Sequence, residues 1–332
     1  MDLFGSFALV LAFVYAVYAF VGGIAAILAR HPLLVKSTRQ AGIASCCLIF
    51  LATFSLEYLF FSDNFSIAYV VSHSNRDLST FYKIAALWSG QEGSLLFWSF
   101  LLAIYVFSVL TYRNKNGVLM PYVGVVMAGV QIFFLTLNNF VASPFKALAT
   151  PAANGALEYV ARADGNGLTP LLQYPEMVIH PPNLYSGYTG FTIPFAFALG
   201  ALLARYPGEK WIHLTRKWTM IAWMFQSCGI MLGAHWAYAV LGWGGYWGLD
   251  PVENASSPQA PALVFDRRGA AAGVAENLDR ELEAQFRMAA GDRAVCRCGC
   301  VRPGIPRIVF ADLPHFAHLR RIHDRAGILS RG

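Results

Sequence analysis

The chain has 332 residues, of which 56% are apolar and 13% are charged, and its mean hydropathy is +0.47. This balance excludes an ordinary soluble protein and predicts an all-α polytopic membrane protein. The net charge of +6 does not indicate a nucleic-acid partner, because Lys and Arg in short loops set membrane topology.

Apolar segments long enough to cross a bilayer predict about six transmembrane helices. They cover residues 7–28, 42–61, 94–112, 121–141, 184–204 and 218–234. The first segment lacks the basic start and the small-residue cleavage site of a secretory signal, so it is predicted to be a retained helix. Cys46, Cys47 and Cys228 lie inside these segments, where a free Cys typically behaves as a small buried hydrophobe.

Basic residues distinguish the two sides of the predicted membrane domain. The connections after the first, third and fifth segments contain Arg30, Lys36, Arg39, Arg113, Lys115, Arg205, Lys210, Arg216 and Lys217. The longer connections after the second and fourth segments contain only Arg76, Lys83, Lys146 and Arg162. By the positive-inside rule, the first set is cytoplasmic. The N-terminus, the loops holding Trp88 and His180, and the stretch after the sixth segment are then outside.

That last stretch, residues 235–256, reads HWAYAVLGWGGYWGLDPVENAS. Its aromatic residues and interleaved glycines form an apolar surface that a planar ligand can approach closely; they are Trp236, Tyr238, Gly242, Trp243, Gly244, Gly245, Tyr246 and Trp247. An aromatic belt at the membrane interface is the alternative. Asp250, Pro251 and Glu253 are typical of a helix start, with a general acid/base pair as the alternative.

His180 stands in the segment VIHPPNLYSGY at the start of the fifth span. Pro181 and Pro182 are predicted to hold the chain off helix and to limit where the imidazole points. Neutral imidazole is a good iron ligand, so His180 is a candidate axial ligand of haem iron, with a structural or solvent-exposed role as the alternative. His235 could face the same ligand, although a His beside Trp236 is more typical of an interface.

The composition changes near Ser256. Residues 257–332 contain no Trp, Tyr or Lys and no segment that could span a bilayer, and they are predicted to be polar and poorly ordered. Such a composition is typical of the out-of-frame reading of a GC-rich gene, which is our hypothesis for this tail. Its C-x-C-x-C motif (Cys296, Cys298, Cys300) is a weak zinc signal, because structural zinc sites usually offer C-x₂-C pairs.

Three segments together resemble the haem lyases of cytochrome c-type biogenesis, the CcmF/NrfE family. They are Asn64–Trp98 (including LWSGQEGSLLFW), Leu171–Leu203 (including VIHPPNLYSGY) and Trp236–Ser256. The last one is similar to the family's tryptophan-rich "WWD" motif. The resemblance implies haem binding by His180, as an axial ligand of the iron, and by Trp236, Trp243, Gly244, Trp247 and Asp250.

The resemblance also implies a place and a reaction. In that family the motif lies on the outer face of the bacterial cytoplasmic membrane and receives haem from a haem chaperone. Haem is then joined through its vinyl groups to the thiols of an apocytochrome c with a C-x-x-C-H motif, together with other cytochrome c maturation subunits. The alternatives are a non-enzymatic haem conduit or assembly scaffold, and a small-solute transporter. The transporter is disfavoured because no predicted span carries a set of buried charges.

Two features depart from the family pattern. Leu249 stands where the motif has a further Trp, which reduces the area available for stacking. The family also continues through further spans, which hold a second external histidine and a pair that binds a transmembrane haem b. His315, His318 and His323 in the tail do not match that context and inherit no role. Residues 1–256 are therefore expected to be a truncated cytochrome c assembly domain, and residues 257–332 to lie outside the family.

Overall fold

The structure is a computed structural model that describes residues 2–111, 117–151, 157–159, 161–206 and 210–241. The described part is helical, as predicted, apart from one short antiparallel ribbon of β1 (Ala149–Pro151) and β2 (Leu157–Tyr159). The helices are α1 (Asp2–Ala29), α2 (Pro32–Phe61), α3 (Ala68–His73), α4 (Thr80–Ala86), α5 (Gln91–Thr111), α6 (Met120–Thr136), α7 (Pro175–Gly190), α8 (Thr192–Leu203) and α9 (Lys210–Leu241).

Within the described residues, five helical segments are long and apolar enough to cross a membrane, so the chain is a multi-pass membrane protein. They are α1, α2, α5, α6 with the π-helical turn that follows it (Leu137–Val141), and α7 continued by α8. The break at Phe191 has a local cause, because Pro194 has no N–H to donate to the carbonyl of Gly190. The sixth predicted segment lies within α9, which is 32 residues long.

Four of these helices pack as a ring, in which α1 and α5 each contact both α2 and α6. Small side chains let α1 approach α2 closely, and the hydroxyl of Ser45 donates to the carbonyl of Ala12 at 2.9 Å. The opposite side of α1 exposes large apolar residues such as Phe7, Val14 and Val21. A helix that is apolar all round is typical of a membrane span. The pair α7–α8 packs beside α5 and α6, and α9 packs along α7 and α8.

Three of the helices end in tight reversals. Arg30, Asp63 and Arg205 follow α1, α2 and α8 with left-handed φ angles of 51°, 50° and 47°. In each case the next N–H bonds back to a carbonyl in the last turn, for example from Asn64 to Leu59 at 3.1 Å. These hydrogen bonds satisfy helix-end carbonyls that would otherwise be unpaired, which allows the chain to turn within a few residues.

The two long connections after α2 and α6 pack together at one end of the bundle. The N–H of Leu148 donates to the carbonyl of Ser66 at 2.8 Å, and that of Asn166 donates to the carbonyl of Val71 at 2.7 Å. Both connections are therefore on the same side, as the distribution of basic residues predicted. This end also holds His180, near the start of α7.

Candidate functional site

Helix α7 runs straight through Pro181 and Pro182, so the prediction that these prolines hold the chain off helix is wrong. The helix begins at Pro175, and Pro181 therefore removes the N–H that would bond the carbonyl of Met177. The indole N–H of Trp88, in the turn between α4 and α5, donates to that carbonyl instead, at 3.0 Å. A distant side chain thus satisfies the freed backbone group, which is how membrane helices tolerate proline.

His180 is consequently fixed on a regular helix, and its imidazole lies against α9. The Nδ1 atom is 2.7 Å from the carbonyl oxygen of Gly229. Because a carbonyl only accepts, Nδ1 is the protonated nitrogen of the neutral ring and Nε2 keeps its lone pair. The ring also stacks on that of Trp236, with centroids 6.2 Å apart and planes inclined by 26°. This is the tautomer that a metal-binding histidine needs.

Close approach of α7 and α9 makes this contact. A Cβ atom on Gly233 would overlap the ring of His180, and one on Gly229 would lie 2.7 Å from backbone atoms of Leu184. In the other direction, a Cβ atom on Gly187 would lie 2.7 Å from the backbone of Gln226. The signal that could have located this contact is the G-x-x-x-G pattern of residues 229–233, which favours close packing of membrane helices.

A second contact ties the same ends of the two helices. The Nδ1 atom of His235 lies 2.8 Å from a carboxylate oxygen of Glu176, and the side chain of His235 is 65% exposed while that of Glu176 is 17% exposed. Glu176 is one helical turn before His180, so this pair sits beside the His180–Trp236 contact. His235, which could face the same ligand as His180, therefore contacts the Glu176 carboxylate in this structure.

Trp236 brings one unpaired polar group to the site. Its indole nitrogen is buried and has no hydrogen-bond partner among the described residues. A buried N–H without an acceptor is costly, so this donor is available to a ligand acceptor. The other predicted platform residues, Trp243, Gly244, Trp247 and Asp250, lie outside the described residues, as do the domain boundary at 256 and the whole tail.

The turn that carries Trp88 is itself held by a buried hydroxyl. The Oη atom of Tyr69 accepts the N–H of Gly90 at 3.0 Å and lies 3.1 Å from the carbonyl oxygen of Leu87, to which it donates. Burial raises the pKa of the Tyr69 hydroxyl well above its usual range. Glu92 lies in the first turn of α5, where a carboxylate is favoured by the helix dipole.

Comparison with known proteins agrees with these features. The family model described as cytochrome C assembly protein matches residues 88–257, half of the chain. Curated relatives include the cytochrome c-type biogenesis protein CcmF of Pseudomonas aeruginosa, 43% identical over 204 residues, and that of Escherichia coli, 40% identical over 198 residues. The cytochrome c-type biogenesis protein NrfE of Haemophilus influenzae is 39% identical over 206 residues.

These matches cover 60%, 59% and 60% of this chain but only 29%, 29% and 30% of the three relatives. The chain thus spans less than a third of the length of these relatives. A solved structure titled cytochrome c heme lyase CcmF matches with a TM-score of 0.66 and 25% identity, covering 87% of this chain and 50% of that one.

The fold and the site define a multi-pass helical membrane protein with a histidine and a tryptophan stacked where two antiparallel helices meet. The family match then specifies this class further. The chain belongs to the cytochrome c assembly protein family, which confirms the resemblance found in the sequence.

Proposed function

We propose that this chain binds haem at the His180 end of α7 and α9, for covalent attachment to apocytochrome c during cytochrome c maturation. The observation that carries the proposal is the hydrogen bond from His180 Nδ1 to the carbonyl of Gly229, 2.7 Å long. It leaves Nε2 as the free lone pair that ligates iron. The relatives, named as cytochrome c-type biogenesis proteins and as a cytochrome c heme lyase, support the same function.

Each residue of the site has a separate task in this proposal. His180 holds the iron through Nε2, and the hydrogen bond to Gly229 fixes the orientation of its ring. Gly233 leaves the space beside the imidazole that a side chain would fill. Trp236 offers a ring face for stacking and an indole N–H for a carboxylate of the ligand. Trp243, Gly244, Trp247 and Asp250 are assigned to haem binding from the sequence motif alone. The vinyl groups of haem are the positions to which the thiols of the C-x-x-C-H motif add.

The proposal includes a location and partners. The chain lies in the inner membrane of a bacterium, with its N-terminus and the haem surface on the outer side, because Lys and Arg concentrate at the other end. A haem chaperone delivers haem to the site, and other cytochrome c maturation subunits bring the apocytochrome.

Haem titration of the full chain in detergent micelles tests the ligand assignment. Wild-type protein is expected to give a shifted Soret band, and His180→Ala to weaken haem binding by roughly tenfold or more, a loss of about 1.4 kcal/mol or more. His213→Ala is the matched control, because His213 is exposed in the first turn of α9, at the opposite end of that helix from Gly229 and Trp236. An unchanged spectrum in His180→Ala would refute the assignment. Loss of the band in His235→Ala alone would transfer the ligand role to that residue.

A second experiment separates attachment of haem from its mere passage. Haem-loaded chain is mixed with an apocytochrome that contains C-x-x-C-H, and thioether formation is measured by the change in the haem spectrum after denaturation. Product formation supports a lyase. Haem binding without product supports a conduit or an assembly scaffold. A small-solute transporter would show neither the Soret shift nor the thioether.

A further inference from the structure

A cavity of about 690 Å³ lies inside the ring formed by α1, α2, α5 and α6, in the half of the bundle away from His180. Its volume is within the range of ~300–1,000 Å³ typical of ligand sites. The lining includes Gly23, Arg39, Leu110, Gly124 and Gln131. Helix α6 lines it from residue 120 to residue 131, a rise of roughly 16 Å. The cavity therefore extends across about half of a hydrocarbon core that is ~30 Å thick.

The charge of this end of the bundle is positive. The exposed side chain of Arg39 lines the cavity, and its Nε donates to the carbonyl of Leu110 at 2.7 Å, in the last turn of α5. Its guanidinium makes no ion pair with any described residue. The sequence has no Asp or Glu between residues 3 and 56 or between 93 and 157, which includes every segment that lines the cavity. Arg30 and Lys36 add to the positive charge at the same end.

We propose that this cavity binds an anionic phospholipid, with one acyl chain between the helices and the phosphate at Arg39. The inner walls are mainly apolar and suit a hydrocarbon chain, whereas Arg39, the cation among the described lining residues, is at the end where a headgroup would lie. Basic pockets between membrane helices are typical sites for anionic headgroups. A free phosphate ion would use only Arg39 and would leave the apolar interior unfilled. Among the described residues no histidine lines the cavity.

Two variants separate the headgroup from the chain. Arg39→Gln removes the cation. Gly124→Leu fills the interior, because a Cβ atom there would have its nearest neighbour, Leu110 Cδ2, at an ordinary 3.7 Å. Lys36→Gln is the matched control, since Lys36 is one turn from Arg39 on α2 and does not line the cavity. The full chain is purified in detergent, stripped of lipid and mixed with phosphatidylglycerol, phosphatidylcholine of the same chains, or inorganic phosphate.

Native mass spectrometry counts bound lipid, and thermal denaturation measures stabilisation. Wild type and Lys36→Gln are expected to retain phosphatidylglycerol and to melt at a higher temperature with it than with phosphatidylcholine. Arg39→Gln and Gly124→Leu should each bind it at least about tenfold more weakly. Equal responses to the two lipids, an equal response to phosphate alone, or unchanged binding by folded Gly124→Leu would overturn the proposal. If Arg39→Gln fails to fold, the Gly124→Leu result decides alone.

Discussion

Replacing Trp88 with Phe removes one hydrogen-bond donor and keeps an aromatic ring in a position that is 8% exposed. The lost N–H is the partner of the Met177 carbonyl, which Pro181 has already deprived of its helical donor. A buried carbonyl left without a partner costs about 1–3 kcal/mol. With roughly 2–4 °C per kcal/mol for a protein of this size, the apparent melting temperature should fall on the order of 5 °C.

Trp98→Phe is the matched control for this experiment. The indole nitrogen of Trp98 is buried but has no partner among the described residues, so this variant loses similar ring area and no hydrogen bond. Circular dichroism melts of both variants in the same detergent, compared with wild type, isolate the contribution of the Trp88 donor. The reasoning is refuted if Trp98→Phe lowers the melting temperature as much as Trp88→Phe does.

Three further substitutions test other contacts by the same melts. Gly229→Ala should destabilise the chain by about 1–3 kcal/mol, because its Cβ would meet the α7 backbone. Gly124→Ala is the control and should be near neutral, because its Cβ would meet nothing closer than 3.7 Å. Equal effects of the two substitutions would contradict the packing argument. Asp63→Asn keeps the left-handed backbone but leaves Lys83, 2.6 Å away and 9% exposed, without its counter-charge. We expect the free energy of unfolding to fall by about 1–3 kcal/mol. An unchanged free energy of unfolding would show that the ion pair is not stabilising. Burial raises the pKa of the Tyr69 hydroxyl. The contribution of this hydroxyl to the free energy of unfolding should therefore be constant below the unfolded pKa of ~10 and decline as pH rises above it. Tyr69→Phe should reduce the loss of stability at alkaline pH, and an unchanged loss would assign it to other groups.

Hydropathy predicts the spans because the bilayer requires long apolar helices, but it does not predict where they begin. Helix α2 begins about ten residues before the predicted apolar segment, at Pro32, where His31 caps the helix by accepting the N–H of Leu34. The first turns of α2 are polar and carry Lys36, so an apolar window excludes them. Local capping chemistry, rather than hydrophobicity, determines this boundary.

The candidate site was predictable only in part because it depends on contacts between residues that are far apart in the sequence. His180 and Trp236 are recognisable from their sequence context, yet 56 residues separate them, and their contact depends on how α7 packs against α9. The local rule for proline predicted a break in α7 because it considers only neighbouring residues. The partner that restores the missing hydrogen bond, Trp88, is 89 residues from Met177, which a local rule cannot include.

Successive hydrogen bonds hold the connection between α2 and α5, the start of α7 and the imidazole in place. Tyr69 holds the turn that contains Trp88, Trp88 supports the carbonyl of Met177, and His180 lies one turn further along α7, bonded to Gly229. Each buried polar group is satisfied by a different element, so no single helix determines the orientation of the histidine. Since the imidazole bonds Gly229 and stacks on Trp236, both on α9, the residues that position the ring lie largely outside any motif centred on His180. Pro181, beside the histidine, fits this arrangement, because it frees the Met177 carbonyl through which Trp88 anchors the helix.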